Sequence, residues 1–175
     1  EGDAVRIVET TDYPFKESVE FAIETARPNR FPLTLRIPGW CADARVSVNG
    51  AAVQKTFPAG SYAVVEKEWI GGDRVRLDLP MKTRIQTWKA QKGAVSVFRG
   101  PLAFSLRIGE RWESFGKEPW PEWKLSPSTP WNYALAPESI GPVQATDEIP
   151  SQPFDLKNAP IVMRAIDPAK DVDGF

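Results

Sequence analysis

Glu66 and Glu68 are the first residues in this sequence whose types and spacing suit chemistry. Two positions apart on an extended strand, they project to the same side. Paired carboxylates can do acid–base work on a glycosidic bond. Tyr62 and Val64 share their side, whereas Ala63, Val65 and Trp69 lie opposite. The competing reading is therefore a solvated strand face over a buried one. Cys41 is the second candidate, at a turn after Gly39-Trp40. A thiol becomes reactive beside a cation or a helix N-terminus. The sequence puts neither next to it, which favours a packed, inert thiol.

The third candidate is a cluster. Trp112, Trp120, Trp123, Trp131 and Tyr133 fall within RWESFGKEPWPEWKLSPSTPWNY, residues 111–133. Sugars present flat patches of C–H groups on which aromatic faces stack. Aromatic rings also bury large areas at domain interfaces, and a Trp- and Pro-rich loop can pack on its own sheet. All three readings stay open at this point. A shallow groove lined by exposed rings would favour sugar; buried rings or a flat apolar patch would favour a structural role.

Composition narrows the field. The chain of 175 residues has one cysteine and no histidine. An internal disulfide, most metal sites and every Ser–His or Cys–His nucleophile are thereby excluded. No glycine-rich phosphate loop or nucleotide fingerprint is present, and no cofactor is expected. The net charge is −1, so there is no basic field to hold a nucleic acid. No apolar run approaches the roughly 20 residues needed to span a bilayer.

The elements that must position these candidates are strands. Leu33, Leu35 and Ile37 alternate with Thr34 and Arg36, a period of two with one apolar face. Pro38-Gly39 stops that run. Val46 and Val48 begin another, which ends at Asn49-Gly50, a strong hairpin signal because both residues tolerate positive φ. Ser61–Trp69 and Asp73–Leu79 follow, and the four runs together read as an antiparallel meander. Further strands are predicted at Asp3–Thr11, Ser18–Thr25, Lys82–Trp88, Gly93–Phe98, Leu102–Ile108, Ile140–Ala145 and Ala159–Ile166. Seventeen prolines argue against long helices.

The expected fold is thus all-β, an antiparallel, jelly-roll-like β-sandwich with a long irregular Trp/Pro-rich segment. It is read as a single domain over 1–175. Core strands occupy 1–109, the Trp/Pro-rich loop 110–135, closing strands 136–166 and a polar tail 167–175. Glu1 is not a natural start, so the chain reads as a fragment of a larger multidomain protein.

The order of landmarks is more specific than any one of them. Tyr13-Pro14-Phe15 precedes FPLTLRIPGW at 31–40 and Val48-Asn49-Gly50. Gly60-Ser61-Tyr62, Trp69, Gly72-Asp73, Leu79-Pro80-Met81, Arg99-Gly100-Pro101-Leu102 and residues 130–135 (PWNYAL) follow. Over Asp3–Leu135 this resembles the middle β-sandwich domain of the β-L-arabinofuranosidase family of glycoside hydrolases, family 127 and its relatives. In that family an (α/α)-barrel precedes the sandwich and carries catalysis, with a cysteine-rich zinc site. The resemblance implies a non-catalytic accessory domain that braces a barrel of the same polypeptide, in a bacterial, periplasmic or secreted setting. It carries over no catalytic or metal residue, and Cys41 is not part of the zinc motif. A carbohydrate-binding module, holding a plant-type oligosaccharide on exposed Trp residues, is the alternative. An enzyme in its own right would need a cleft with two facing carboxylates.

Overall fold

The structure, a computed structural model, describes residues 4–131, 135, 140–155 and 157–164. The chain divides into two compact units. One contains residues up to 84 together with 98–102. The other contains 85–97 and the residues from 103 onward.

The first unit is built from β1 (Val5–Thr11), β2 (Ser18–Thr25), β3 (Asn29–Arg36), β4 (Arg45–Val48), β5 (Ala51–Ala52), β6 (Tyr62–Trp69) and β7 (Arg74–Asp78). One antiparallel sheet has the order β1-β2-β7-β4-β5, and β3 pairs with β6 in a second. The predicted strands are present, but they do not form a meander. The four runs expected to form it, β3, β4, β6 and β7, alternate between the sheets instead. The links are short: three residues separate β2 from β3, and four separate β6 from β7. An extended residue covers about 3.3 Å, so three residues suffice to cross the roughly 10 Å between stacked sheets.

Period-two patterning sets which face goes inside. Leu33 and Leu35 of β3, Ala63, Val65 and Trp69 of β6, and Val75 and Leu77 of β7 are buried. Val19 and Ile23 of β2 and Val46 of β4 join them in one core with Ile37, Cys41, Phe57 and Leu79. The intervening Thr34, Arg36, Arg74 and Arg76 face solvent. A register slip of one residue would reverse every one of these assignments, so the pattern also constrains the register between paired strands. Each large apolar side chain buried here contributes about 1.5–3 kcal/mol of gross burial. Asn49 (φ 52°) and Gly50 (φ 81°) form the two-residue turn between β4 and β5, as their types predict.

Three further strands, β8 (Thr83–Trp88), β9 (Ala94–Arg99) and β10 (Leu102–Phe104), form a sheet in the order β10-β9-β8. A 3₁₀ turn at Lys89–Gln91 joins the first two. In the second unit, β11 (Glu110–Phe115) pairs with β12 (Glu122–Pro127), and β13 (Val143–Ala145) with β14 (Ile161–Met163). The all-β antiparallel fold is the one expected from sequence. The Trp/Pro-rich segment is where expectation and structure part: residues 110–127 form a hairpin, not an irregular excursion. The last two predicted strands are present and pair with each other. The predicted tail, 167–175, lies outside the described residues.

Candidate functional site

The carboxylate pair resolves first. Glu66 and Glu68 sit on the outer side of β6, with the exposed Tyr62 and Val64, while Ala63, Val65 and Trp69 line the core. Arg30 on β3 pairs with Glu66 at 3.3 Å, in a cross-strand ladder open to water. This is the solvated-face reading. Cys41 is fully buried, its thiol 3.9 Å from the Pro80 carbonyl oxygen. Burial raises its pKa above the ordinary thiol value, and the negative charges of Asp43 and Glu17 push the same way. Both effects suppress the thiolate. Among the described residues no cluster of three or more His, Cys, Asp or Glu suits a metal ion.

The sequence landmarks converge on two polar networks in the first unit. Asp73, almost wholly buried, is the hub of one. Its carboxylate accepts from Asn49 Nδ2 at 2.7 Å, the Ile70 amide at 2.9 Å and Lys67 Nζ at 2.9 Å. Asn49 Oδ1 in turn accepts from the Arg74 amide at 2.8 Å. Lys67 also lies 5.1 Å from the Trp69 ring centre, and Trp69 Nε1 donates to the Phe31 carbonyl at 2.9 Å. Burial pushes the Asp73 carboxyl up, but the bonds from Asn49, Ile70 and Lys67 outweigh it, and its pKa ends below the usual value. Asn49, Trp69 and Asp73 therefore tie two turns to a strand end.

Glu17 is the hub of the other network. Its Oε1 accepts from Arg99 Nη2 at 2.7 Å and from the Met81 amide at 3.1 Å, and its carbonyl accepts from the Leu79 amide at 2.7 Å. Gly100 sits at φ +56°, where a Cβ would come within 2.7 Å of Met81 Sδ. The Arg99-Gly100 step is thus sterically and electrostatically specified.

The tryptophans of the second unit behave differently. Trp112, Trp120, Trp123 and Trp131 are 57%, 85%, 57% and 59% exposed. Cross-strand register puts Glu110, Trp112 and Ser114 of β11 on one face with Trp123, Leu125 and Pro127 of β12. Trp112 and Trp123 meet edge to face, ring centres 6.3 Å apart and planes at 75°. Trp112 Nε1 donates to Glu110 Oε2 at 2.9 Å. On the opposite face, Glu113 pairs with Arg111 and Lys124 at 3.3 and 3.9 Å. The Gly109 amide donates to Thr129 Oγ1 and its carbonyl accepts from the Ser128 amide, which closes the base of the ribbon.

Beside the aromatic face lies an open groove of about 400 Å³ lined by Leu106, Ile108, Glu110, Leu125, Ser126 and Trp131, among others. The structure therefore connects Trp112, Trp123 and Trp131 through Glu110 and Leu125. Trp120 stands apart near the hairpin turn, and Tyr133 lies outside the described residues. The sequence reading missed Glu110, Leu125 and the groove. The available signal was the two-residue alternation of Glu110, Trp112 and Ser114 against Arg111 and Glu113.

Comparison with known proteins follows this division. Residues 1–81 match the family model described as beta-L-arabinofuranosidase, GH127 middle domain. The resemblance carried by the landmarks is thus shown over that segment. Among solved structures, the chain is similar to a GH127 beta-L-arabinofuranosidase from Geobacillus stearothermophilus T6, with a TM-score of 0.54 and 22% identity over 73% of this chain and 27% of that one. A glycoside hydrolase gives 0.52 and 25% identity over 75% and 27%. A further GH127 beta-arabinofuranosidase gives 0.50 and 23% identity over 71% and 25%. The fold likeness extends past residue 81, and the chain spans about a quarter of the length of these structures. No curated protein matches it.

Proposed function

From the family match over residues 1–81 we infer that this chain is a non-catalytic accessory domain of a GH127-like glycoside hydrolase, where it braces an (α/α)-barrel that carries the chemistry. One observation supports this reading above the others. Landmark residues within the matched segment, among them Asn49, Trp69, Asp73 and Met81, are tied into hydrogen-bond networks within the fold. Asp73, 3% exposed and already accepting from three donors, is closed to substrate by its burial. The acids Glu66 and Glu68 lie exposed on the outer side of β6, and Glu66 is paired with Arg30.

The bracing role is tested on a polypeptide that carries both this chain and a barrel. Removing residues 1–175 is expected to lower the barrel's thermal midpoint by several degrees, since covering an apolar domain face contributes stability. A barrel whose midpoint and turnover are unchanged after the deletion would overturn the bracing role.

A further inference from the structure

The second unit presents a feature that bracing by the first does not require. Large aromatic side chains normally bury most of their surface. Here Trp112, Trp123 and Trp131 leave more than half of theirs open. Trp131 lines a groove with Glu110 and Leu125, and Glu110 bonds Trp112, which meets Trp123 edge to face. The remaining chemistry of that surface is specific. Leu106, Ile108 and Leu125 supply apolar lining, and Glu110 and Ser126 supply a carboxylate and a hydroxyl.

We propose that this groove is a saccharide-binding site, with Trp131 and Leu125 as its apolar wall, Trp112 and Trp123 at its rim, and Glu110 as hydroxyl acceptor. A sugar ring is apolar on its C–H face and rich in donors at its edge, so it needs an aromatic face beside an acceptor. Glu110 provides the acceptor at the rings: one oxygen takes the Trp112 indole proton, and an ionised carboxylate has lone pairs to accept several more bonds. The groove's volume of about 400 Å³ falls within the range of small-ligand sites. Ring geometry favours the sugar over a protein surface as occupant. With planes at 75°, Trp112 and Trp123 make a corner, which receives a small ring but leaves gaps against a flat apolar face. The ligand class is a neutral oligosaccharide of furanose or pyranose rings, held by stacking and by hydrogen bonds to Glu110. The site binds; the proposal includes no hydrolytic step.

The test is a titration of the 175-residue chain, with its indole N–H groups observed by NMR, against arabinotriose and cellotriose in separate runs. The indole signals of Trp112, Trp123 and Trp131, assigned by single Trp→Phe replacement, are expected to shift saturably with at least one sugar, with a Kd of about 0.1–10 mM. The buried Trp69 signal is expected to stay in place. Trp131→Ala should weaken binding about tenfold or more, and Trp131→Phe, which keeps a flat ring, should stay within about threefold. Unchanged sugar-free Trp112 and Trp123 signals in both variants show that the β11–β12 hairpin persists. Absence of saturable shifts with both sugars would overturn the proposal, as would shifts that survive Trp131→Ala. Shifts that instead follow protein concentration, with no response to sugar, would also overturn it and mark the face as a protein contact. Any of these failures leaves the accessory role of the first unit standing.

Discussion

Asp73 shows how one residue type takes its meaning from its surroundings. A carboxylate at a turn reads from sequence as a turn former. In the fold its carboxylate is the shared acceptor for three separate donors. Asp73→Ala should cost about 1–3 kcal/mol in urea unfolding, because Asn49 and the Ile70 amide lose their partner in a buried place. The pH dependence has a definite sign. A carboxyl whose folded pKa is lowered binds its proton more readily when unfolded, so its contribution is complete above the ordinary value. It then fades as pH falls through the folded value. The stability gap between the native chain and Asp73→Asn should thus shrink from about pH 4 downward, read from urea midpoints between pH 7 and 2.5. A gap that widens in acid would contradict the assignment. Cys41 gives a second check at this scale. Buried, with its pKa raised, it should resist alkylation at pH 8 in the folded chain and react at once in denaturant.

At the scale of elements, Gly100 is the sharpest case. Positive φ and the closeness of Met81 Sδ both exclude a side chain. Gly100→Ala should cost roughly 1–2 kcal/mol from backbone conformation alone, measurable as a lower urea midpoint at unchanged slope. The strands of the first unit were legible because one face of each is buried, so polar and apolar residues alternate. Ser18–Thr25 is a strand with the bounds the sequence suggests. Sheet membership was not legible, because period two says which face is inside and nothing about which neighbour is paired. The meander expectation failed for that reason. The β11–β12 hairpin escaped notice on different grounds. Almost every residue in it is exposed, so its alternation sets tryptophan against charge, with no buried face to mark it. Its turn also carries Pro119 and Pro121, which mask a strand signal.

At the scale of the molecule, the two units differ in where their chemically capable side chains lie. In the first, the residues with chemical potential serve the fold: carboxylates anchor turns or decorate a wet ladder, and the thiol is sealed in the core. The family resemblance was readable because turns and strand breaks need particular residues in a particular order, and that order survives as Asn49-Gly50, Gly72-Asp73 and Arg99-Gly100. The tryptophan face was readable only as a cluster. Which rings meet depends on the register of β11 against β12, and Leu125 gains its role from sitting across from Trp112. In the function proposed above, reactivity toward glycosides resides outside this chain. It is tested by arabinose release from a β-L-arabinofuranoside by the purified 175-residue chain at high concentration. A rate equal to the buffer blank is expected. Release above the blank that disappears in Glu66→Gln or Glu68→Gln would contradict it.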